Sequence, residues 1–173
     1  MAEEAHSEGG LVALVAAEKT RNLCGLILVA APGRPMGTIL REQLSANPAN
    51  APLLPDAMSA IERLEKGERV DVGAMHPALQ GLFAPAVQGY LIDMLSRDPA
   101  VLLAGVDLPV LIVQGGRDLQ ITVADGEALH AGKASATYVV APAMNHVLKN
   151  VTSNEPAANY AAYADPSLPI APE

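Results

Sequence analysis

The chain has 173 residues, half of them hydrophobic, and a formal net charge of -8. That length supports one domain with a buried core, and the apolar share marks it as globular rather than disordered. The acidic balance excludes a general nucleic-acid binder, which needs clustered Lys and Arg against phosphates. No apolar run approaches the roughly 18 residues of a membrane span. Met1-Ala2-Glu3-Glu4-Ala5 is acidic where a secretory signal would be basic and then apolar. A soluble, cytoplasmic location is the default that follows. The single cysteine, Cys24, has no internal partner and lies in an apolar run, so it reads as a buried, inert thiol.

In chain order, His6-Ser7-Glu8-Gly9-Gly10 leads into an Ala- and Leu-rich stretch over 11–18, which predicts a helix buried on most sides. Residues 23–31 form a continuous apolar run ended by Pro32-Gly33, the pattern of a parallel strand covered on both faces. Helical patterns at 36–44, 55–66 and 86–96 then alternate with Pro, Asn and Gly breaks, and no strand is convincing there. Residues 108–114 give a second buried strand, closed by Gly115-Gly116. A helix is predicted over 123–131, and a third strand over 137–140 from Thr137, Tyr138, Val139 and Val140. The tail over 155–173 is rich in Ala and Pro and shows no clear period. Strands alternating with helices predict an α/β fold, a parallel sheet with helices on both faces. Residues 1–35 and 98–173 form the core in this reading, and 36–97 a helical insertion.

Three residues carry chemistry in an order that matters. A serine hydroxyl needs a neighbouring base, the base needs a carboxylate to hold its tautomer, and the oxyanion needs N–H donors. Ala5-His6-Ser7-Glu8-Gly9 matches the strand-to-helix turn G-x-S-x-G except that alanine, the smallest substitute, replaces the first glycine. In that turn the Glu8 backbone N–H is an oxyanion donor, and Gly9 and Gly10 leave room for strand and helix to approach. Asp118 follows the second strand through Gly115-Gly116-Arg117; the competing role, capping the next helix, calls for a residue nearer Thr122. His146 lies a few residues past the third strand, where a plain surface-loop histidine is the competing reading. Ser7, Asp118 and His146 occur in the order such a triad requires.

The chain resembles α/β-hydrolases of the serine aminopeptidase or lysophospholipase-like group. The resemblance rests on 6–10, on 26–35 (LILVAAPGRP), on 109–118 (PVLIVQGGRD) and on Met144-Asn145-His146, and extends to Arg41-Glu42-Gln43-Leu44. It implies a partial α/β-hydrolase fold with 36–97 as a helical cap over the pocket. It also implies a serine hydrolase that cleaves carboxylic ester or related acyl bonds without metal or cofactor. The triad carries over to Ser7, Asp118 and His146. The partners implied are a small acyl ester, with no nucleic acid and no membrane span.

The departures from that group carry expectations of their own. Ala2-Glu3-Glu4-Ala5 is too polar to predict the strand that should precede Ser7. The family's first half of the sheet, whose loop supplies the second oxyanion donor, is missing ahead of it. About three strands are expected, with an exposed apolar edge that favours a homo-oligomer or a complementing N-terminal fragment. The alternative function is a truncated, catalytically silent hydrolase fragment acting as an association module. Elsewhere, His76 and His130 lack ligand spacing and read as ordinary surface or boundary residues. His6 reads as a support for the turn rather than as the base. The Glu8 side chain faces either the pocket or solvent, Arg34 reads as a structural salt bridge, and Met36, Met58, Met75 and Met94 suit an apolar cap wall.

Overall fold

The computed structural model describes residues 2–20 and 22–172. Four strands pair in sequence order into one parallel sheet, β1 (Ala2–His6), β2 (Gly25–Val29), β3 (Val110–Gly115) and β4 (Thr137–Ala141). The chain divides into two compact units, one of Met1–Arg34 with Pro99–Glu173 and one of Pro35–Asp98.

The sheet unit is organised by the two central strands. Leu26 and Leu28 of β2 and Val110 and Ile112 of β3 face one side, where they pack with Leu14 of α1 (Glu8–Ala17), Leu103 of α6 (Pro99–Ala104) and Leu129 of α7 (Val123–Gly132). The alternate residues, Ile27, Val29 and Val113, face the other side and meet Ala141, Met144, Leu148 and Ala171. This two-residue alternation with both faces covered is why Leu26–Val29 and Val110–Val113 are apolar throughout. Small residues set the close approaches. A Cβ on Gly10 would lie 2.4 Å from the Ala31 Cβ, and one on Gly132 2.6 Å from the Ala100 carbonyl oxygen.

β1 differs from the sequence expectation. Ala2, Glu3, Glu4 and His6 are exposed, yet the strand pairs in parallel with β2 from Ala2↔Gly25 to His6↔Val29. Backbone pairing needs no apolar side chains at a sheet edge, so four strands form rather than about three, and the turn at Ser7 has its strand. Helix α1 also departs from expectation. Leu11, Ala13 and Leu14 are buried, but Val12 is 54% exposed, so the helix is covered on one face only. Cys24 is exposed because it lies in the bend before β2 rather than within the strand.

In the second unit no strand forms among the described residues. It comprises α2 (Met36–Ala46), a 3-10 turn (Pro48–Leu53), α3 (Leu54–Glu65), α4 (Pro77–Leu82) and α5 (Gln88–Leu95). Ala57, Ala60, Ile61 and Leu64 of α3 are buried at a helical spacing, a single apolar stripe. Arg41 and Glu65 pair through two hydrogen bonds of 2.7 and 2.6 Å, which hold the Arg41 guanidinium above its ordinary value. The buried Gln88 amide accepts from the Val70 N–H and donates to the Val70 and Phe83 carbonyls, completing a stretch of irregular backbone. No helix among the described residues is long and apolar enough to cross a membrane.

Candidate active site

Ser7 occupies the junction of β1 and α1 with φ 56° and ψ -134°, a region that residues with side chains avoid. Neighbouring backbone holds it there: the Ser7 N–H donates to the Val29 carbonyl at 3.0 Å, and the Gly10 N–H donates to the Ser7 carbonyl at 2.8 Å. Helix α1 starts at once, with Glu8 as its first residue, so its positive end lies beside the hydroxyl. Gly10 accounts for the tight strand-to-helix contact; Gly9 does not, since a Cβ there would meet nothing within 4 Å.

Asp118 and His146 reach this point on two loops joined backbone to backbone. The Gly116 N–H donates to Ala141 at 2.8 Å and the Arg117 N–H to Met144 at 3.0 Å. A Cβ on Gly115 would lie 2.4 Å from the Met144 carbonyl oxygen, and one on Gly116 2.8 Å from that of Pro142. The glycine pair at the end of β3 therefore serves close approach, not an unusual backbone angle. Asp118 is buried; its Oδ1 accepts from the Gln120 and Ile121 N–H groups at 2.8 and 2.9 Å. The helix that follows is capped by Thr122 and Asp125 instead, which leaves the Asp118 Oδ2 for other use. His146 rides on a tight turn closed by the Asn145 and Lys149 backbones and by the Lys149 N–H donating to the Asn145 Oδ1, with Leu148 at φ 62°.

The three residues meet. His146 Nδ1 is 2.8 Å from the Asp118 Oδ2, and His146 Nε2 is 3.0 Å from the Ser7 Oγ. A carboxylate accepts only, so the neutral imidazole carries its proton on Nδ1 and turns the Nε2 lone pair to the Ser7 hydroxyl. His6 does not approach Ser7 as a base. Its Nε2 lies 2.7 Å from the His146 carbonyl oxygen.

Over 94% of its length, the chain overlays 65% of a lipase-esterase related protein from Clostridium acetobutylicum ATCC 824, with TM-score 0.50 and 16% identity. Over 84% of its length, it overlays 59% of BpoC from Mycobacterium tuberculosis H37Rv, with TM-score 0.51 and 16% identity. The chain carries part of the α/β-hydrolase fold. In that fold the ends of β1, β3 and β4, where Ser7, Asp118 and His146 follow, are the carboxyl ends of parallel strands, where ligands bind. In sequence, the chain is 28% identical over 148 residues, 83% of its length, to Esterase EstD of Thermotoga maritima. It spans about a third of that relative's length, 34%. No family model matches.

Other candidates fall where their chemistry allows. Arg34 pairs with the buried Asp125 at 3.0 Å, the structural salt bridge expected. His76 is exposed and caps α4 by accepting from the Ala78 N–H at 3.2 Å. His130 stacks on Tyr138 with ring centroids 5.5 Å apart. The Glu8 side chain is exposed, and of the four methionines Met94 is buried within the helical unit.

Two residues escaped the sequence reading. Asn159, fully buried on α8 (Pro156–Ala161), donates through Nδ2 to the Arg117 carbonyl at 2.8 Å. Its own carbonyl accepts from the Asn145 side chain at 3.5 Å, so one residue touches the neighbours of both Asp118 and His146. Tyr163 accepts from the Gln120 side chain at 3.0 Å. Burial pushes its phenol above the ordinary range, and the Asp118 charge adds to that. Both lie in the Ala- and Pro-rich tail, where no periodicity marks a helix of six residues.

Proposed function

We propose that this chain is a serine hydrolase of the α/β-hydrolase superfamily that cleaves carboxylic ester or related acyl bonds through Ser7, His146 and Asp118. The narrower serine aminopeptidase or lysophospholipase-like group is part of this reading. One observation carries it, the unbroken line of hydrogen bonds from the Ser7 Oγ through both His146 nitrogens to the Asp118 Oδ2. The likeness to Esterase EstD points to the same bond class.

In this mechanism the Ser7 Oγ attacks the ester carbonyl carbon while its proton passes to His146 Nε2. The imidazolium is stabilised by Asp118, whose other oxygen is held by two backbone N–H groups. The oxyanion forms beside the start of α1, with the Glu8 N–H as one donor. His146 returns its proton to the leaving alkoxide. Water, activated by the same imidazole, then cleaves the acyl-enzyme, and the acid departs with Ser7 restored.

The test is hydrolysis of p-nitrophenyl acetate by the purified chain beside its Ser7→Ala variant, with intact mass after a fluorophosphonate probe. Turnover that depends on Ser7, together with a single adduct, supports the reading. A folded sample with neither turnover nor adduct overturns it.

A further inference from the structure

The residue before the nucleophile grips the residue that would serve as its base. His6 Nε2 lies 2.7 Å from the His146 carbonyl oxygen, and the two imidazole rings sit 4.9 Å apart at 41°. A carbonyl accepts only, so His6 Nε2 must carry a proton and donate it. That nitrogen is thereby committed to the His146 backbone.

The geometry points to His6 as a positioning residue that fixes the distance between the Ser7 hydroxyl and the His146 ring. The inference rests on the triad reading above. Ser7 and His6 are covalent neighbours, and they hold His146 at two places, its ring and its backbone. The ring contacts to Ser7 and Asp118 orient the imidazole; the backbone bonds of the turn tie it to the Asp118 loop and to its own residues, and the His6 bond ties it to β1. The turn over 145–149 is irregular, with Leu148 at φ 62°. His6, by contrast, stands on β1, whose backbone is paired with β2 through His6↔Val29. The hydrogen bond ties the irregular turn to the ordered strand one residue from the hydroxyl. A displacement of about 1 Å at such a site can cost about 100-fold in rate.

Two variants separate the hydrogen bond from ring packing. His6→Gln keeps an N–H donor at similar reach and removes the ring. His6→Phe keeps a ring and removes the donor. With p-nitrophenyl acetate, His6→Phe is expected to lower kcat by about 10- to 100-fold with KM little changed, and His6→Gln to restore most of the loss. Equal activity in His6→Phe and the parent, or equal impairment in both variants, overturns the assignment.

A second readout needs no turnover. The His146 Nδ1 proton, hydrogen-bonded to Asp118, is expected to give a far-downfield NMR resonance, assigned by its loss in His146→Ala. It should persist in His6→Gln and be lost to solvent exchange in His6→Phe. If the parent neither turns over ester nor labels at Ser7, the hydrolase reading fails. The resonance in the two variants then still decides whether His6 holds His146.

Discussion

Asn159 donates from its side-chain amide to the Arg117 carbonyl, 2.8 Å away and one residue ahead of Asp118. Both Asn159 and Asp118 are buried. Replacing Asn159 with Ala leaves a part-buried carbonyl without that donor and should destabilise the fold by about 1–3 kcal/mol. Urea unfolding measures the loss. Fluorophosphonate labelling of Ser7, followed in the folded fraction alone, should slow as well, because the Asp118 loop loses its tie to α8. An unchanged unfolding midpoint would show that this amide holds nothing.

The two glycines after Ser7 should respond in opposite ways. Gly10→Ala places a Cβ 2.4 Å from that of Ala31 and should cost about 1–3 kcal/mol through overpacking. Gly9→Ala meets nothing within 4 Å in a helix and should be neutral or stabilising by up to about 1 kcal/mol. Thermal unfolding of the two variants side by side tests the pair, and equal shifts in Tm would contradict the packing argument.

The strain at Ser7 gives a third expectation. Its φ of 56° is tolerated by glycine at little cost. Ser7→Gly should therefore be more stable than Ser7→Ala by about 1 kcal/mol or more, while both lose the adduct. A Ser7→Ala variant as stable as Ser7→Gly would indicate that the turn stores no strain.

Asp125 joins the end of β2 to α7. It accepts from the Gly33 and Arg34 N–H groups, from the Arg34 guanidinium, and from Thr122. Asp125→Ala removes the shared acceptor of the Gly33, Arg34 and Thr122 N–H groups and should cost about 3 kcal/mol or more. Arg34→Ala leaves the carboxylate with its backbone donors and should cost distinctly less. Denaturant titration of the two single variants gives the comparison, and a larger loss for Arg34→Ala would reverse the assigned roles.

Burial raises the phenols of Tyr138 and Tyr163 above their ordinary value. A raised value means that the folded chain holds the proton more tightly than the unfolded chain. The stability this contributes is complete below the unfolded value of about 10 and is lost as pH rises towards the folded values. An ultraviolet titration should show late phenolate formation that Tyr138→Phe and Tyr163→Phe each reduce. The alkaline loss of stability should be smaller in both variants.

Much of the fold could be read from patterns with one physical cause. The runs around Leu26–Val29 and Val110–Val113 are apolar because both faces of a central parallel strand are covered. Chemistry and chain order drew attention to Ser7, Asp118 and His146, and the loops after β3 and β4 bring the last two to the first. β1 was not legible, because an edge strand held by backbone pairing can carry Glu3 and Glu4 outward. Asn159 was hidden for a different reason. Its role depends on what lies across from it, 42 positions back at Arg117, and no local spacing encodes that.

The bond between Ser7 and His146 joins positions 139 apart. During synthesis the turn at Ser7 emerges before its partner, which is added only after both central strands. In the proposed mechanism the hydroxyl has no base, and remains an ordinary alcohol, until residue 146 has left the ribosome and β4 has docked. Reactivity of Ser7 towards a phosphonate would then report completion of the fold, and a chain arrested before that point would be chemically silent however much of its sheet had formed.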